Sequence, residues 1–98
     1  MSLREEYDFE YLVNESENLV FEELDAQLEM KERANVCRCQ DCILDMAALA
    51  LNSMKPQYRV SLLGSVYASS LHISSAREEA EKSVKMAIDK ISSNPSHN

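Results

Sequence analysis

Asn35-Val36-Cys37-Arg38-Cys39-Gln40-Asp41-Cys42-Ile43-Leu44-Asp45-Met46-Ala47-Ala48-Leu49-Ala50-Leu51-Asn52 is the stretch that decides how this chain folds. Its second half is rich in Ala and Leu, so helix propensity and pattern agree. It is apolar almost all round, which predicts a buried helix. Asn52-Ser53 and then Pro56 end it, because proline cannot continue a helix and disfavours helix at Lys55. Its first half gathers all three cysteines of the chain into six residues, spaced Cys-x-Cys-x-x-Cys. A helix starting at about Asp41 holds Cys42 in its first turn, where free backbone N–H groups stabilise thiolates.

Before this stretch, Leu12, Ser16, Val20, Leu24 and Leu28 step by four, and Val13, Leu19, Phe21 and Met30 widen the stripe. Glu15, Glu17, Glu22, Asp25 and Glu29 fill the other face. The pattern predicts an amphipathic helix from Tyr11 to about Arg33, with Asn35 as its C-terminal cap. After the stretch, Tyr58-Arg59-Val60-Ser61-Leu62 alternates apolar and polar between Pro56 and Gly64, which predicts a short extended segment. Such a strand must lie against helices or pair with its copy in a second subunit. A short helix carrying Val66, Tyr67 and Leu71 is expected next. A final helix follows, capped by Ser74 or by Ser75, whose spacing to Glu78 suits a capping box. Ala76, Ala80, Val84, Ala87, Ile88 and Ile91 form its stripe.

The expected architecture is therefore all-α: a small bundle of about four or five helices with one extended segment near residues 58–62, stapled by zinc. The expected organisation is a flexible segment over 1–10, a single helical domain over 11–92 and a flexible tail over 93–98. One Gly and two Pro in 98 residues argue against a many-stranded sandwich or barrel.

Charge excludes one class of function. Residues 1–33 hold 11 of the 17 acids and 3 of the 10 bases, and the whole chain carries −7. Duplex DNA binding needs a basic face, and none is present. No stretch approaches the roughly 20 apolar residues of a membrane span, and the charged N-terminus lacks an apolar signal core. A cytoplasmic location is expected, where reducing conditions turn clustered cysteines toward metal or redox work.

Zinc takes thiolates at about 2.3 Å in tetrahedral geometry, so Cys37, Cys39 and Cys42 supply three corners. The fourth falls to His72, His97, Asp41, Asp45, a water or a second subunit. Two other readings compete. The cysteines can be small buried hydrophobes, or Cys39 and Cys42 can work as a redox pair, although that motif belongs after a strand in a βαβ unit. No phosphate loop and no Ser–His–Asp spacing is present, and three thiolates blunt Lewis acidity, so no enzyme activity is expected. A 98-residue monomer has difficulty covering an all-apolar helix, so a two-fold homodimer is expected.

Residues 35–42, then Asp45-Met46-Ala47-Ala48-Leu49-Ala50-Leu51-Asn52 and Pro56-Gln57-Tyr58-Arg59-Val60, resemble the late competence protein ComFB family, and Val13-Asn14 matches the family's opening. The resemblance covers roughly residues 11–92. It departs at Lys55-Pro56, where relatives often carry two prolines, and over Ser61 to Ser75. It implies a small helical, dimeric, zinc-binding protein that accompanies DNA uptake, in contact with other competence proteins. Some relatives are cyclic dinucleotide receptors. Lys55, Tyr58 and Arg59 suit such a ligand chemically, and the plainer alternative for them is a surface strand with solvated charges and one buried tyrosine.

Overall fold

The computed structural model describes residues 1–60 and 70–95, apart from the side chains of residues 70–74. Among them it has four helices, α1 (Leu3–Glu6), α2 (Glu15–Leu28), α3 (Gln40–Asn52) and α4 (Ser70–Ser93), and two short strands, β1 (Val13–Asn14) and β2 (Tyr58–Arg59). The expected mostly helical class is what the structure has. The segment from Ser61 to Gly64 and the helix expected to carry Val66 and Tyr67 lie outside the described residues.

Helices α2, α3 and α4 pack on one another around a single core. The four-step of α2 works as the period predicts, since Ser16, Val20, Leu24 and Leu28 are all buried. Ala80, Val84, Ala87 and Ile88 of α4 are buried too, with Ile91 packed at the edge. From α3, Cys42, Met46 and Ala50 point inward one turn apart, joined by Ala47. Gln27 is buried at the α2–α4 seam, where its Nε2 donates to the Glu81 carbonyl at 3.0 Å. That bond satisfies a group whose burial would otherwise destabilise.

Three expectations about the elements need correction. The first helix does not run from Tyr11 to Arg33 with Asn35 as its cap. Asn14 is the N-cap of α2, its Oδ1 accepting from the Ser16 N–H at 3.1 Å, and the helix ends at Leu28 with Glu29 in place of Asn35 as C-cap. Past Leu28 the stripe has nothing left to bury and Met30 stands exposed, as does Phe21 within α2. Residues Lys31–Arg33 form only a 3₁₀ turn. The second correction concerns α3, which is not buried all round. Met46 is 0% exposed, but Leu44, two residues away, is 57% exposed. The third concerns the final helix, which already includes Ser70 and so runs through Ser74 and Ser75. The Ser75–Glu78 spacing is a local signal, and no Gly or Pro lies nearby to enforce it.

The extended segment pairs within the chain. Val13 faces Arg59 and Asn14 faces Tyr58 in an antiparallel ribbon. The corner is fastened by hydrogen bonds from both sides. Glu15 N donates to the Gln57 carbonyl at 2.8 Å, and Gln57 N donates to Asn14 Oδ1 at 2.7 Å. Ser16 Oγ donates to the Lys55 carbonyl at 2.7 Å, and Lys55 N donates to Glu79 Oε1 on α4 at 2.8 Å. The N-terminal arm contrasts with this body. Leu3, Tyr7, Phe9, Tyr11 and Leu12 are all exposed.

Candidate metal centre

The three thiols sit on one short path between α2 and α3. Cys37 lies half-buried against the edge of the core. Cys39 is exposed and is the N-cap of α3, in extended conformation at φ −71° and ψ 162°. Its Sγ accepts from the Cys42 N–H at 3.4 Å, and its carbonyl accepts from the Ile43 N–H at 3.0 Å. Cys42, in the first turn, is 1% exposed and belongs to the core. The helix start expected near Asp41 is at Gln40, so Cys42 holds the expected place.

The chain therefore converges its sulfur atoms from three settings: loop, cap and helix. The three Sγ atoms lie within 4.8 Å of one another, and none of the three is in a disulfide. Tetrahedral zinc thiolates stand about 3.8 Å apart. The cluster fits the ion with a closing of about 1 Å at most. Soft sulfur donors suit zinc and other thiophilic metals and disfavour magnesium or calcium.

The electrostatics of the cluster are asymmetric. The backbone N–H of Cys42 holds the Cys39 thiol below its ordinary value, with help from Cys37 and the Asp41 N–H. Burial pushes the Cys42 thiol up to about 12, and hydrogen bonds with Cys39 and Cys37 add to it. Without metal, negative charge collects on the exposed cap and the proton stays on the buried sulfur. A bound cation would remove this difference, because coordination deprotonates each ligating thiol outright.

Among the described residues the group consists of the three cysteines alone, with Asp41 exposed in the first turn of α3 and Asp45 half-buried farther along it. His97 and the side chain of His72 lie outside the described residues. Lys55, Tyr58 and Arg59 lie at and just before β2. Tyr58 and Arg59 are successive strand residues, whose side chains leave opposite faces. Arg59 is ion-paired with Glu15, and Lys55 is exposed. Tyr58 is 62% exposed, so the expected buried tyrosine is a surface one.

Cysteine spacing carries no sign of the part played by two arginines on the same path. Arg33 Nη1 donates to Asp89 Oδ1 of α4 at 2.6 Å, and this bond lowers the Asp89 carboxyl below its ordinary value. Arg38 Nη2 donates to the carbonyl of Leu28, the last residue of α2. The only local hint is a cation placed shortly after a helix end.

The family model described as late competence development protein ComFB matches residues 13–95. The chain belongs to the ComFB family. The match opens at the first residue of β1 and spans α2, α3 and α4, so the cysteine cluster lies inside the ComFB region and the exposed arm precedes it. A solved structure, that of the late competence protein ComFB from Bacillus subtilis, is similar at 28% identity and a TM-score of 0.52. The alignment covers 87% of this chain and 94% of that one. No curated protein matches the chain.

Proposed function

We propose that this ComFB-family chain is a non-catalytic, zinc-binding, homodimeric accessory protein of late competence in the cytoplasm, acting through protein contacts during DNA uptake. The observation that carries the metal reading is the convergence of three sulfur atoms within 4.8 Å on three differently held residues. Zinc there would serve as a structural crosslink between the loop after α2 and the start of α3. Cys37, Cys39 and Cys42 would hold it, and its binding energy would be partly folding energy. Exposed Leu44 of α3 supports the dimer, since a second copy would cover this apolar side chain. Among the described residues no helix is long and apolar enough to cross a membrane.

The test measures metal content and mass together on protein purified without chelator. The expected outcome is one zinc per chain and a particle of about twice the 11.1 kDa chain mass. Protein that stays folded with no bound metal, and accepts none when titrated, would remove the zinc reading. An 11.1 kDa particle at micromolar concentration would remove the dimer.

One observation favours a second reading. Cys39 is exposed with its thiol shifted toward the anion, and Cys42 stands three residues on, which is the arrangement of a nucleophilic redox thiol and its resolving partner. Thiol counting separates the two: a redox pair cycles between three and one free thiols without metal, whereas a zinc site shields all three until chelator is added. The cyclic dinucleotide alternative would require Arg59 to leave Glu15.

A further inference from the structure

We infer that Arg38 is the positioning residue of the metal centre. It lies between two of the three thiols in sequence, and its guanidinium reaches back ten residues to the Leu28 carbonyl. The last carbonyls of a helix lack intrahelical partners and carry the negative end of its dipole. Arg38 satisfies one of these groups with a charge-assisted bond. The same bond fixes the backbone between Cys37 and Cys39 against the end of α2. Cys42 is held independently, inside the core, and Cys39 is held by its cap bond to the Cys42 N–H. Cys37 packs at the edge of the core. Arg38 ties the turn that joins it to Cys39 to the end of α2.

This inference rests on the metal reading and predicts more than that reading does: a residue that ligates nothing sets the affinity. Outer-shell partners of metal ligands typically contribute 10–100-fold in affinity. Arg38→Ala is therefore expected to weaken zinc binding by about 10-fold or more. The measurement is competition against a chromophoric chelator, with the cobalt-substituted absorption spectrum as a second readout of site geometry. Both are run at low and high salt, because a pure charge effect is screened and a positioning effect is not. The expected result is a loss that persists at high salt and an altered cobalt spectrum, with far-ultraviolet circular dichroism of the metal-free protein unchanged. Should Arg38→Ala fail to fold, Arg38→Lys carries the test. It keeps the charge and loses the planar fork, and its expected loss is smaller but also salt-resistant. Affinity within twofold of the unsubstituted protein, or a loss that vanishes at high salt, overturns the positioning role and leaves the metal site standing. An unsubstituted protein that binds neither zinc nor cobalt overturns both.

Discussion

Met46 and Leu44 sit two residues apart on α3, and the fold assigns them opposite fates. Met46 is 0% exposed between α2 and α4, whereas Leu44 is 57% exposed. Truncating a fully buried Met to Ala costs about 2–5 kcal/mol through lost transfer energy and the cavity left behind. Met46 lies mid-helix, with Cys42 and Ala50 one turn to either side, so the site has little freedom to collapse, and about 3 kcal/mol is expected. A domain of this size has about 5–15 kcal/mol of total stability, so Met46→Ala removes a large share. At about 4–8 °C per kcal/mol, the melting temperature falls by about 12–24 °C. Leu44→Ala removes a surface side chain and costs about 0.5 kcal/mol or less in the isolated chain. Urea unfolding followed by circular dichroism at fixed zinc and several protein concentrations reads both. A homodimer makes the cost of Leu44→Ala grow with protein concentration, because association stabilises by mass action. Two results would refute the face assignment: a cost for Met46→Ala under about 1 kcal/mol, or equal costs for the two variants at the lowest concentration.

Three further outcomes follow from the same structure. Ser16→Ala leaves the Lys55 carbonyl without its 2.7 Å partner and should destabilise by about 1–2 kcal/mol, measured as a shift in the urea midpoint at constant slope. Asp89 is held ionised by Arg33, so its folded pKa is depressed. Its contribution is present above the ordinary carboxyl value of 3.8 and is lost as pH falls through the lower folded value. Asp89→Asn should therefore unfold earlier in urea at pH 7, with the gap to the unsubstituted protein closing as pH falls below 3.8; a constant gap would contradict the pairing. Cys39→Ser replaces an exposed thiol and retains an oxygen that can cap α3, so circular dichroism should stay unchanged while bound zinc, measured by mass spectrometry, falls below about a tenth per chain.

The parts of the fold that could be read in advance are those written in one local period. Val20, Leu24 and Leu28 repeat every four residues, as do Ala80, Val84 and Ile88, so one face of each helix declares itself. The thiols were legible for a similar reason, because all three donors fall within six residues and one helix start orders two of them. What could not be read depends on partners distant in sequence. The β1–β2 ribbon involves two residues on each strand, too few to show a period, and its register rests on backbone and Asn14 hydrogen bonds. The inward face of α3 was hidden by its own composition. Ala and Leu on every side give no direction, and only the positions of α2 and α4 select Met46 over Leu44. The partners of Arg33 and Arg38, Asp89 and the Leu28 carbonyl, become visible only in the packed bundle.

These long-range contacts give the cysteine path its character. The connection between α2 and α3 touches every helix of the bundle: Arg33 reaches α4, Arg38 reaches the end of α2, Cys39 caps α3, and Cys42 enters the shared core. A metal drawn into such a path does not merely close a loop. Moving Cys42 moves the first turn of α3, and Met46, one turn on, then shifts against α2 and α4. The exposed side of that same turn carries Leu44. A metal held by the three thiols would thus be joined mechanically to exposed Leu44 by a single turn of helix, and the surface around Leu44 would then depend on three sulfur atoms.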